Sequence, residues 1–136
     1  MAGVDPTDWL RRLTPAEWLA AAATEIEHAA EALARRAARP GVTYARRAAG
    51  MAWNAVLFLA PEGRFGRSYM EHVVALAGDE GVPDDVRAAA QLLRDTPPLP
   101  PALITLGKPD LRPADAARKI LAHARARVAT LEAGVH

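Results

Sequence analysis

Apolar residues recur along this chain at helical spacing, and the polar residues between them carry start and stop signals. Asp5-Pro6-Thr7-Asp8 reads as a cap, then proline at the first helical position, then an acid in the first turn, which predicts a short helix over residues 5–12. Thr14-Pro15-Ala16-Glu17 is a stronger start signal, a capping box with proline at N1. Behind it Leu19, Ala22, Ile26, Ala29 and Leu33 fall at intervals of three and four, with Glu17, Glu25, Glu27, Glu31 and Arg35 largely off that stripe. The pattern predicts a helix with one buried face running to about Ala38, where Pro40-Gly41 ends it.

A second helix is predicted from about Thr43 to Ala60, stopped by Pro61. Its apolar face is wide (Ala45, Ala48, Ala49, Ala52, Trp53, Val56, Leu57, Ala60), as in a central helix touched on more than one side. Gly50 costs about 1 kcal/mol inside a helix and marks close approach of a neighbouring backbone. A loop with two glycines, Pro61–Gly66, leads to short helices over Ser68–Ala77, closed by Gly78, and Pro83–Arg94. The stretch Thr96–Pro101 cannot be helical, because each proline removes a donor and restricts its predecessor. It reads as a stiff surface connector, irregular over residues 96–112. The last helix runs from Pro113 to about Ala133, with Ala117, Leu121, Ala124, Val128 and Leu131 on one stripe. Three long and two short helices make an all-α, up-and-down bundle over residues 14–133, within a single domain of 136 residues.

Composition agrees with this picture. Alanine, the best helix former, supplies 32 residues, and strand-forming residues are few and scattered. Alanine-rich faces bury little area each but let helices approach closely; cores this thin favour an oligomer, expected here to be a homodimer. Without cysteine there is no disulfide, thiol nucleophile or Cys-type zinc site, and no carboxylate cluster or phosphate loop implies a metal or cofactor. The apolar runs are too short to span a membrane and the first residues are acidic where a signal peptide is basic, so a cytoplasmic location is expected. Seventeen basic against 16 acidic residues, a net charge of +1, create no overall field for nucleic acid, so any anion binding must be local. Arg46 and Arg47 with Arg35, Arg36 and Arg39 form either a basic patch or, the favoured reading, a solvated helix end. Trp9, Trp18 and Trp53 read as core or interface anchors.

Candidate chemistry centres on Arg67-Ser68-Tyr69-Met70-Glu71-His72. Ser68-x-x-Glu71 is a capping box, which puts Arg67 at N′ and His72 at N4, the two positions that meet in a hydrophobic staple. Here the pair is a guanidinium and an imidazole beside the positive end of a helix, where free N–H groups favour a bound phosphate. Arginine recognises phosphate with a planar fork and histidine exchanges protons near neutral pH. Together they suit metal-free cleavage of an RNA phosphodiester. The competing reading is an Arg67–Glu71 ion pair beside a half-exposed surface histidine. The other histidines, His28, His123 and His136, have surface, boundary or terminal positions.

The order of these features resembles the HEPN superfamily (higher eukaryotes and prokaryotes nucleotide-binding domains): an Ala-rich helix Tyr44–Leu57, a loop, Arg67-x4-His72, a Pro-rich stretch and a final amphipathic helix. The resemblance implies a small helical bundle, usually a homodimer, in which Arg67 and His72 would be the catalytic pair of a metal-independent ribonuclease. Arg67 and Ser68 would contact the phosphate, and an antitoxin or small nucleotidyltransferase would be a partner. It equally implies, as the alternative, a catalytically inactive interaction or nucleotide-binding module.

Overall fold

The computed structural model describes residues 8–97 and 107–134. Within them the fold is all-helical: α1 (Pro15–Ala34), α2 (Ala38–Leu59), α3 (Tyr69–Ala77), α4 (Asp84–Asp95) and α5 (Arg112–Glu132), with 3-10 turns at Asp8–Arg12 and Gly63–Phe65. The predicted residues 5–7 and the prolines of 98–101 lie outside the described residues, as does His136. Among the described residues no helix is long and apolar enough to cross a membrane.

The capping box that starts α1 is complete. Glu17 N–H donates to Thr14 Oγ1 at 3.1 Å, and Thr14 N–H donates to Glu17 Oε1 at 3.0 Å. Of the predicted stripe, Ala22, Ile26, Ala29 and Leu33 are buried, and Trp18 is a further anchor. Its indole N–H donates to Leu10 O at 2.8 Å and ties the preceding 3-10 turn to α1.

The junction of α1 and α2 differs from the sequence expectation. The first helix stops at Ala34, and Pro40-Gly41 falls inside the first turn of the second. Arg36, at φ 62°, takes the left-handed position that closes a Schellman motif: Arg36 N–H donates to Leu33 O and Ala37 N–H to Ala32 O, both at 2.9 Å. Glycine usually fills that position, so the stop carries no glycine signal. Pro40 is the third residue of α2, where its missing N–H would have no intrahelical partner, so it is tolerated there. Gly41 packs on Leu33, leaving no room for a Cβ where the two helices part.

α2 is central and packs against α1, α3 and α5. Its residues Ala52 to Leu57 are all buried, so this helix has no solvent face over that stretch. Gly50 lets α3 approach: a Cβ there would lie 2.5 Å from Tyr69 Cα. Arg46 belongs neither to a basic patch nor to the solvated helix end favoured from sequence. Its Nε donates to Leu93 O and its Nη2 to Thr96 O, each at 2.8 Å, satisfying carbonyls at the end of α4. Arg47 faces Glu25 at 3.8 Å and Arg35 faces Glu31 at 3.5 Å, which divides the arginines among separate contacts.

Candidate functional site

The Arg67–His72 segment is positioned by the loop before α3. Phe65 is 1 % exposed and pins that loop to the core, its ring 5.4 Å from that of Trp53. Gly66, at φ 67° and ψ −161°, turns the chain in a conformation essentially restricted to glycine. Ser68 then caps α3 by accepting the Glu71 N–H at 3.1 Å, but the reciprocal bond from Ser68 N–H to the Glu71 carboxylate does not form, so the expected capping box is only half made. The Glu71 side chain lies back over Gly66, so that a Cβ on Gly66 would collide with its carboxylate. Arg67 and Ser68 are exposed, and the Arg67–Glu71 ion pair of the competing reading does not form: the Arg67 guanidinium lies over the Trp9 ring instead.

His72 departs from the expectation of a surface residue beside Arg67. It is 0 % exposed. The helical turn that carries Ser68 and Glu71 outward brings His72 onto the same inward face as Val73, Leu76 and Ala77. Both ring nitrogens are engaged: Nδ1 lies 2.6 Å from Phe65 O, and Nε2 lies 2.7 Å from Asn54 Oδ1. A backbone carbonyl only accepts, so the ring carries its proton on Nδ1. Burial pushes the ring below the ordinary histidine range, and this outweighs the opposing pull of the Phe65 carbonyl and the Glu71 carboxylate. The neutral ring makes Nε2 an acceptor, which is matched when the Asn54 amide turns its NH2 group toward it. Protonation of the ring instead favours the amide oxygen. Ring charge and amide orientation are thereby coupled.

Trp9 joins the two members of the motif. Its ring lies 5.8 Å from the His72 ring at 34°, and the Arg67 guanidinium carbon lies 5.5 Å from the Trp9 centroid. The structure thus leaves Arg67 at the surface, buries His72, and connects them through an indole from the start of the chain.

Three residues of this arrangement, Trp9, Asn54 and Phe65, were not assigned to it from sequence. Asn54 carried a signal, as the lone polar residue in the run Ala52–Ala60, where an amide needs a buried partner. His72 carried another, since it shares the 72/73/76/77 face with three apolar residues. No local signal placed Trp9.

The remaining candidates lie apart. His28 is exposed, 3.9 Å from Glu25 Oε2, and His123 stacks on Trp53 at 5.9 Å and 11°. Burial, then the positive charge of Arg127, holds His123 below the ordinary histidine range. Among the described residues no group of His, Asp and Glu is arranged to hold a metal ion. A cleft of about 390 Å³ lies between the end of α4 and the start of α5, lined by Leu92, Asp95, Thr96, Asp110 and Arg112. Compared with known proteins, the chain matches no family model, no curated protein and no solved structure.

Proposed function

We propose that the chain is a HEPN-like helical interaction module that keeps the Arg-x4-His pair without turning over RNA. One observation carries this reading: His72 is 0 % exposed, with both ring nitrogens in internal hydrogen bonds. A general acid or base must reach the proton it transfers, directly or through one water. A ring enclosed by Phe65, Asn54 and Trp9 reaches no ribose hydroxyl or leaving oxygen.

The phosphate-binding role is weakened in the same way. The Ser68 hydroxyl already caps α3, and the Glu71 carboxylate lies beside the helix end that an anion would occupy. Arg67 alone remains available at the surface, which is too little to orient a phosphodiester for in-line attack. Association through the bundle, as a homodimer or with a protein partner, is the role that survives from the family resemblance.

The test is incubation of the purified chain with single-stranded RNA in the presence of EDTA. The RNA is expected to stay intact, with wild type and His72→Gln indistinguishable. Appearance of 2′,3′-cyclic phosphate ends that disappear in His72→Gln overturns the proposal. Light scattering on the same sample checks the homodimer: a monomer mass removes that part of it.

A further inference from the structure

The cover over His72 is unequal in strength. Phe65 and Asn54 are each 1 % exposed and belong to the core, whereas Trp9 is half-buried in a five-residue 3-10 turn, Asp8–Arg12. Short 3-10 turns have poor hydrogen-bond geometry and open locally at a fraction of the global unfolding free energy. This turn is fastened next to Trp9 by buried Leu10, whose carbonyl accepts the Trp18 indole N–H at 2.8 Å, and by Arg11 over the Phe58 ring at 5.4 Å. Trp9 itself is held between two side chains of the motif, stacked by Arg67 and set against His72.

We infer that the Asp8–Arg12 turn is a latch on the Arg67–His72 site: Trp9 closes His72 off from solvent, and displacement of its ring uncovers the histidine beside the exposed arginine. The inference rests on the proposed function and adds a second barrier to the internal hydrogen bonds of the ring, the indole that covers it. Arg67 has a role in the closed state, as the cation that holds the indole down. In the open state the guanidinium is released and the imidazole loses the indole beside it, so one motion exposes both side chains and leaves the ring nitrogens shielded by Phe65 and Asn54 alone. A ligand or partner that binds the open state shifts the population by its differential affinity alone.

Carbethoxylation of histidines by diethyl pyrocarbonate, read residue by residue by mass spectrometry on the full chain, tests this. In the wild type His28 is expected to react and His72 to be protected. In Trp9→Ala, His72 is expected to react roughly tenfold faster or more, with His28 unchanged and a cooperative thermal transition retained. Trp9→Phe, which restores a ring, is expected to return most of the protection. A folded Trp9→Ala in which His72 stays as protected as in the wild type overturns the latch. Should Trp9→Ala lose its cooperative transition, Arg67→Ala decides, since it removes the cation and leaves the ring. His72 is then expected to label a few-fold faster, and unchanged labelling overturns the latch. The labelling reports access to His72 whatever the chain does to RNA. Cleavage by the wild type overturns the proposed function and leaves this comparison standing.

Discussion

Across the contact between α2 and α3, Nε2 of His72 lies 2.7 Å from the side-chain amide of Asn54, and neither residue is more than 1 % exposed. Two polar groups buried against each other stabilise the fold only while both are matched. Asn54→Leu keeps the volume but leaves Nε2 without a partner, and is expected to destabilise the chain by about 1–3 kcal/mol. Denaturant unfolding of the two proteins measures it, and a loss well below that range shows the pair to be dispensable.

The buried ring also sets a pH dependence. Desolvation holds His72, and to a lesser burial His123, below the ordinary histidine range, so the unfolded chain binds protons that the folded chain refuses. The stability this gives is complete above the unfolded value of about 6.5 and is lost as pH falls from there through the folded values. Melting temperatures between pH 8 and pH 5 are therefore expected to fall, and less steeply in His72→Gln. Asn54→Asp puts a carboxylate beside the ring, favours the imidazolium, and is expected to flatten the slope or reverse it.

Two glycines separate close packing from chain entropy. Gly50→Ala gains helix propensity of about 1 kcal/mol but drives a methyl into Tyr69, 2.5 Å from its Cα. The α2–α3 contact must spread, so a net loss of about 1–3 kcal/mol is expected. Gly63→Ala meets nothing within 4 Å and is expected to be neutral or to stabilise by up to about 1 kcal/mol. Thermal unfolding of both variants checks the contrast, and a neutral Gly50→Ala argues against the close approach.

Arg46 is a helix cap supplied from another helix. Its charge-assisted bonds to Leu93 O and Thr96 O are both 2.8 Å, and partial burial holds the guanidinium below the ordinary arginine range. Arg46→Ala is expected to cost about 1.5–3 kcal/mol, and Arg46→Lys to recover only part of it, because one ammonium does not reproduce the planar spacing of Nε and Nη2 that meets the two carbonyls. Hydrogen exchange localises the effect: faster exchange at the C-terminal end of α4 is expected, and a change spread evenly over the chain counts against the cap.

The helices were legible because their boundary chemistry is local. Thr14, Ser68 and Pro83 stand at the starts of α1, α3 and α4, and Gly78 stands at the end of α3, as their types predict. Gly50 announced a close neighbour, although only the structure identifies it as Tyr69. The α1–α2 junction was misplaced because Arg36 occupies a left-handed position that sequence rules reserve for glycine, while Pro40-Gly41 carries the stop signal one turn late. Within the candidate site, the Ser68 cap is legible in the sequence, the Glu71 half of the capping box does not form, and the inward direction of His72 follows from its apolar neighbours. N4 faces inward when Val73, Leu76 and Ala77 define the buried side. Trp9 lies 63 residues from His72 in sequence, a distance over which periodicity and capping carry no information.

The abrupt turn at residues 35–37 has a consequence in time. A link this short closes with little loss of entropy, and α1 and α2 form the most extensive helix pair among the described elements. Contacts so close in sequence form early, so this hairpin is the expected folding nucleus and α3 docks onto a surface already built. The Asn54–His72 bond then belongs to the late half of the reaction, after the transition state. Its removal is expected to accelerate unfolding while the refolding rate stays almost unchanged, a division that stopped-flow chevrons of Asn54→Leu would display. The bond would then govern how long the native state persists, leaving the speed of its assembly to the α1–α2 hairpin.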